Sequence, residues 1–270
     1  MRIATARLDG GEARVAYELT GTGPAVILVH GTAAARDQWA PLTERIADRY
    51  TVVALDYSGS GDTTDHGGPL TVADLAAEVL AVVEHAGIRR FHLVGHSLGA
   101  VVAAQVAATV PERVRSLFLH AAWVRTDVRM DSEFRYWIEL LRHDAERGTD
   151  LFPRMLPLMA FGPRYWDNTT AADNDALVKQ LAGVIALGAI RQTEVDRAVD
   201  LTGLLDRITA PTLVLASAHD RIIPAAQQQA LLAAIPDARY AEIDAGHGAP
   251  GEDSDGFIAK VAGFLDDRTR

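Results

Sequence analysis

The stretch Phe91-His92-Leu93-Val94-Gly95-His96-Ser97-Leu98-Gly99-Ala100 decides the reading of this chain. An apolar run ends in Gly-His-Ser-Leu-Gly, and the Ala/Val-rich segment from Ala100 to Thr109 follows at once, which predicts strand, sharp turn and helix. Gly95 and Gly99 carry no Cβ to block the close approach of strand and helix, so the turn displays Ser97 outside the sheet. A serine hydroxyl is a poor nucleophile unaided. Ser97 therefore carries chemistry only where a base and an orienting acid reach it, and the pentapeptide alone also fits a plain Gly/Ser turn.

Outward from this turn, the flanking segments alternate. Ile3 to Leu8 and Ala13 to Leu19 read as a hairpin around Asp9-Gly10-Gly11-Glu12. Ala25-Val26-Ile27-Leu28-Val29 is a continuous apolar run, suited to a strand buried on both faces, and it ends in His30-Gly31-Thr32. Trp39 to Arg49 predicts a helix and Thr51 to Asp56 another buried strand. Thr71-Val72-Ala73-Asp74 opens a helix with a capping-box-like start, and Val72, Leu75, Ala76, Val79, Leu80 and Val83 form its apolar stripe. After the helix that follows Ser97, Val114 to His120 is a further strand. Such alternation implies a mostly parallel sheet with helices on both faces.

The alternation stops from about Val124 to Asp200. Amphipathic helices, among them Ser132 to Arg147 and Asp173 to Gly188, fill this stretch, with Pro153, Pro157 and Pro163 as breaks. It resumes after Pro211 with strands over Thr212 to Ala216 and Ala238 to Ile243, and helices over Ala225 to Ala234 and Phe257 to Leu265. The expected organisation is an α/β core over 1–123 and 201–270, interrupted by a helical cap over 124–200.

Composition bounds the function. With 270 residues, 49% of them hydrophobic, the chain can bury a full core. No apolar stretch reaches the length of a membrane span and the first residues lack a signal peptide's apolar centre, so a cytoplasmic protein is expected. The absence of cysteine excludes disulfides, thiolate zinc sites and a cysteine nucleophile. A net charge of −10 disfavours a phosphate backbone as partner, which argues against nucleic acid. The loop around Gly59 and Gly61 lacks both the Walker lysine and the Gly-x-Gly-x-x-Gly spacing, and reads as a turn beside the site.

Ligands of open α/β sheets sit at the carboxyl ends of the strands, so partners for Ser97 are sought just after strands. Asp220 follows Thr212 to Ala216, and His247 follows the last strand. Asp244, three residues before His247, is a rival acid; the position after His120 holds Ala121 and Ala122 and offers none. His96 and His30 read as packing or bracing residues.

On these residues the chain resembles the α/β-hydrolase family. Gly95, Ser97 and Gly99 match its nucleophile elbow, His30-Gly31 its oxyanion loop, Asp220 with Pro224 its late-strand acid, and Gly246-His247 its C-terminal histidine. The resemblance covers nearly the whole chain, and the helical insertion falls where the family carries its cap. It implies Ser97 as nucleophile, His247 as general base and acid, Asp220 as orienting acid, and backbone N–H groups of Thr32 and Leu98 as oxyanion donors, with the Thr32 hydroxyl as a further donor. Members that dehalogenate or open epoxides use Asp at the elbow, and this chain has Ser. The loop after Asp56 reads Tyr57-Ser58-Gly59 where many members have an Arg before the Gly, and Ala100 stands where a second Gly often follows the elbow.

The implied activity is cleavage of a small, largely apolar carboxylic ester, with no metal or organic cofactor and a monomer or homodimer as the working form. Trp123, Trp137 and Phe161 are candidate substrate contacts. A thioesterase or an acyl-transferring or cyclising enzyme uses the same machinery, and a small-molecule receptor that keeps it is the reading from a different class.

Overall fold

The computed structural model describes residues 1–268. Alternating small inward-facing residues make the N-terminal hairpin: β1 (Arg2–Leu8) runs antiparallel to β2 (Gly11–Thr20), with Ala4 opposite Val15 and Ala6 opposite Ala13, all buried. The apolar run after it is β3 (Ala25–Val29), buried along its whole length as expected of a strand covered on both faces. A tight turn over Arg36–Trp39 leads into α1 (Ala40–Ile46), shorter than expected, and then β4 (Thr51–Leu55). α2 (Val72–His85) starts at a complete capping box: the Thr71 hydroxyl accepts from the Asp74 N–H, and the Asp74 carboxylate accepts from the Thr71 N–H.

The elbow stretch forms β5 (Phe91–His96) and α3 (Leu98–Thr109), with Ser97 between them, and β6 (Val114–His120) follows. Five helices then run before the next strand: α4 (Val128–Arg147), α5 (Leu151–Ala160), α6 (Pro163–Asn168), α7 (Ala171–Val184) and α8 (Ala189–Arg197). α4 begins earlier than its apolar pattern suggested because the Asp127 side chain accepts from the Met130 N–H at 2.9 Å, and it ends at Gly148 in left-handed conformation. Pro157 does not break α5. The helix forfeits one hydrogen bond there, and its buried face of Phe152, Pro153, Pro157 and Ala160 outweighs that loss. β7 (Thr212–Ser217), α9 (Ala225–Ala234), β8 (Ala238–Ile243), α10 (Ala249–Glu252) and α11 (Ser254–Asp267) complete the described chain; residues 269 and 270 of the expected second core segment lie outside the described residues.

The sheet order is β1-β2-β4-β3-β5-β6-β7-β8, with β2 antiparallel to β1 and β4 and every other pair parallel. One face packs on α2 and α3 through Val79, Val83, Val101 and Val106; the other packs on α1 and α11 through Leu42, Ile46, Phe257 and Phe264. Two covered faces make this a three-layer α/β fold with its strand ends open at the carboxyl side. Among the described residues no helix is long and apolar enough to cross a membrane.

Candidate active site

The elbow is tight because two glycines let it be. A Cβ on Gly95 would stand 2.4 Å from the Gly99 carbonyl oxygen, and one on Gly99 would stand 2.2 Å from the carbonyl oxygens of Val29 and His30. Ser97 itself takes φ 55°, ψ −125°, a strained conformation for a side chain with a Cβ, and its N–H donates to the His120 carbonyl at 2.9 Å. The cost of holding such a residue is roughly 1–3 kcal/mol. Its result is a Ser97 side chain at the carboxyl end of the sheet, at the first turn of α3.

His247 lies on the loop after β8, which is fixed from two sides: the Gly246 N–H donates to Glu252 and the Gly248 N–H to the Ala160 carbonyl at the end of α5. Its Nε2 is 3.0 Å from Ser97 Oγ and its Nδ1 is 2.9 Å from Asp220 Oδ2. The other Asp220 oxygen accepts from the Ile222 and Ile223 N–H groups, each at 2.9 Å. Burial opposes ionisation of Asp220, but the His247 imidazole and these backbone donors prevail, and its pKa lies below the ordinary carboxylate value. An ionised Asp220 takes the Nδ1–H tautomer of His247 and leaves Nε2 to accept from Ser97. The rival acid is elsewhere: Asp244 is exposed and sits 2.9 Å from His219 Nε2.

Below the serine, His96 Nδ1 is 2.8 Å from His120 Nδ1, and His120 Nε2 is 2.9 Å from Ser217 Oγ. Burial lowers the pKa of both rings, His120 to about 3, so both are neutral. His30 braces its loop as the sequence suggested: its Nδ1 donates to the Gly31 carbonyl at 2.8 Å, and its ring stacks on Tyr57 at 4.0 Å between centroids. Burial brings its pKa down to about 4.

The loop after His30 is held by α8. The Ala33 N–H donates to Gln192 at 3.0 Å, and the Thr32 hydroxyl lies 2.8 Å from an Asp196 oxygen. Gln192 and Asp196 are four apart on one helix face and both are buried. The Thr32 and Leu98 N–H groups find no intramolecular acceptor among the described residues.

A cavity of about 240 Å³ opens on Ser97 and His247 and is roofed by Trp137 of α4, Phe152 and Leu156 of α5, Phe161 just after α5, and Leu181 of α7. Of the three aromatic residues named as candidate contacts, Trp137 and Phe161 line this cavity. Trp123 does not: it is 1% exposed, donates through Nε1 to the Thr126 hydroxyl at 2.9 Å, and packs on Phe134 in the core. It stands only three residues beyond β6, and the chain turns it inward before α4 begins. A larger groove of about 980 Å³ lies at the opposite, amino end of the strands, among Arg89, Arg90, Arg113 and Arg115 with Glu84 and Glu112. The Gln192 and Asp196 anchors were not singled out from sequence, although two polar residues on the buried face of a helix are a readable signal.

This arrangement, a serine on a strand-to-helix elbow with a histidine and an acid from later strand ends, defines a class, and the sequence comparison agrees: residues 24–254 match the family model of the alpha/beta hydrolase fold, and the chain belongs to that family. Among individual relatives, the chain is 35% identical over 258 residues to pyrrolizixenacetamide deacetylase of Xenorhabdus hominickii, covering 94% of this chain and 96% of that protein. It is 31% identical over 264 residues to a protein of Azorhizobium caulinodans provisionally named carbamate hydrolase RutD, again covering 94% and 96%. A thermophilic esterase from Thermogutta terrifontis superposes with a TM-score of 0.84 at 25% identity, covering 98% of both chains. Relatives named for hydrolysis along nearly the whole chain place it among the family's hydrolases.

Proposed function

We propose that the protein is a serine hydrolase that cleaves a small, largely apolar carboxylic ester through an acyl-enzyme on Ser97. The observation that carries this reading is the unbroken chain of contacts from Ser97 Oγ through His247 to Asp220, at 3.0 and 2.9 Å, at the floor of an apolar cavity. Ser97 Oγ attacks the acyl carbon while His247 Nε2 takes its proton, and His247 returns that proton to the departing alkoxide oxygen. Water then attacks the acyl-enzyme, giving its proton to the same nitrogen, and Ser97 regains a proton as the acid leaves. Asp220 holds the ring and stabilises its charged form. The N–H groups of Leu98 and Thr32 are the oxyanion donors, each worth roughly 2.7–4 kcal/mol in the transition state. In this reading residues 124–200 act as a cap, and Trp137 and Phe161 contact the acyl or alcohol portion.

An amide is the second reading, favoured by the 35% identity to a deacetylase. The test is steady-state hydrolysis of p-nitrophenyl esters of increasing acyl length beside the matching thioesters and p-nitroanilides, for the wild type and Ser97→Ala. Multiple turnovers on esters, lost in the variant, support the proposal, and turnover of anilides above esters moves the second reading ahead. A single-turnover burst favours a receptor or a dedicated acyl transferase, and an active Ser97→Ala removes the mechanism.

A further inference from the structure

Asp196 is a carboxyl group placed where a carboxylate has little to hold it. It is 1% exposed; among the described residues one of its oxygens has no hydrogen-bond partner, and the other meets only the Thr32 hydroxyl, at 2.8 Å. Among the described residues no cation pairs with it. On its own helix, Arg197 is paired with Glu194 and with Asp131 of α4, and Gln192 is committed to Ala33 and the Ser58 carbonyl. From the loop after β6, the Thr126 hydroxyl donates to the Asp196 main-chain carbonyl, not to its side chain. From just past β4, Tyr57 faces it as a neutral phenol whose hydroxyl is also buried and, among the described residues, unpartnered, and whose pKa burial, with acidic neighbours that include Glu78, pushes up. A lone buried carboxylate under these conditions is more costly than the neutral acid.

Thr32 connects this acid to the chemistry. It lines the cavity beside Ser97, and its N–H is one of the two oxyanion donors proposed above. Its hydroxyl has one hydrogen to give. If the Asp196 carboxyl is ionised, that hydrogen is drawn to Asp196 and away from the cavity. If the carboxyl is protonated, it donates to Thr32 Oγ1, and the threonine hydrogen is released.

We propose that Asp196 keeps its proton and donates it to Thr32 Oγ1, so that the Thr32 hydroxyl points into the cavity as a third oxyanion donor. Asp196 is then a positioning residue, since it never touches substrate, and the inserted helices contribute to transition-state stabilisation through α8. This rests on the reading of Ser97 as nucleophile. Burial raises the Asp196 pKa to about 8, which puts the loss of the third donor within reach of a pH titration.

The experiment is the pH dependence of kcat and KM for p-nitrophenyl acetate, from about pH 6 to about pH 10, in the wild type, Asp196→Asn, Thr32→Val, Thr32→Ser and Ser97→Ala, with thermal melts to check folding. The wild type should lose kcat on an alkaline limb near pH 8. Asp196→Asn, whose amide donates to Thr32 Oγ1 at every pH, should keep most of the neutral activity and lack that limb. Thr32→Val should lower kcat about 10- to 100-fold with KM little changed and should also lack the limb, while Thr32→Ser restores both. An Asp196→Asn variant that retains the wild-type limb, or a folded Thr32→Val as fast as the wild type, overturns the proposal. Activity in Ser97→Ala overturns the nucleophile reading instead, so the two failures are distinct.

Discussion

Gly99→Ala tests the packing that builds the site. The added Cβ would lie 2.2 Å from the carbonyl oxygens of both Val29 and His30, where ordinary contacts begin near 3.4 Å, so α3 and the end of β3 must part by roughly 1 Å. Both contacts are backbone and neither can swing aside. Overpacking of this kind costs about 1–3 kcal/mol, which for a chain of this size lowers Tm by roughly 2–12 °C. The functional cost is larger than the thermal one. α3 begins at Leu98 and the His30 carbonyl precedes Gly31-Thr32, so under the proposed mechanism one displacement separates Ser97 from the Thr32 N–H, and a misplacement of about 1 Å is worth about 100-fold in rate. The assay is kcat for p-nitrophenyl acetate beside a thermal melt, with Gly263→Ala as control. Gly263 lies inside α11 with open space where a Cβ would go, so that variant should gain about 0.5–1 kcal/mol at unchanged kcat. Wild-type turnover and Tm in Gly99→Ala would refute the reasoning.

Trp137→Ala should enlarge the cavity and shift the preferred acyl length upward in an ester panel, whereas Trp123→Ala should cost about 3–5 kcal/mol of stability and leave the chain-length profile of the folded fraction unchanged. His92 is buried against Ser116 at 2.8 Å and burial lowers its pKa to about 4, so the unfolded chain binds a proton there before the native one does. Its contribution is intact above about pH 6.5 and falls by about 1.4 kcal/mol per pH unit down to about pH 4; urea titrations of His92→Asn should show a pH slope flatter by that amount. Asp220 has the opposite sign: its lowered pKa stabilises the native state above the ordinary carboxylate range and is lost as pH falls through it, so Asp220→Asn should reduce acid sensitivity while lowering kcat by about 10⁴-fold. Denaturant midpoints below about pH 4 and single-turnover rates check the two halves.

Much of the fold was legible because its signals are local. The apolar run Ala25–Val29 could be buried only as a strand with both faces covered, and the glycines at 95 and 99 have no reading that admits a Cβ. Boundaries were less legible where a side chain outside the periodic pattern sets them: Asp127 starts α4 and Asp253 starts α11 ahead of their apolar residues. Pro157 was read as a break because local rules penalise it, and the buried face of α5 overrides that penalty.

The sequence by itself determined the class of fold, the serine elbow, and the order in which serine, acid and histidine come along the chain, since strand, turn and helix patterns act over a few residues. Which partners meet was decided only by tertiary structure. Asp220 and Asp244 are equally acidic in sequence, yet one oxygen of Asp220 lies 2.9 Å from His247 while Asp244 turns outward to His219. Likewise Trp123 and Trp137 are alike as residues, and only the path of the chain sends the first into the core and the second over the cavity. The grip of Gln192 and Asp196 on the loop of Thr32 joins residues about 160 apart, a distance at which no local propensity acts and only the packing of α8 against the sheet's carboxyl edge brings the groups together.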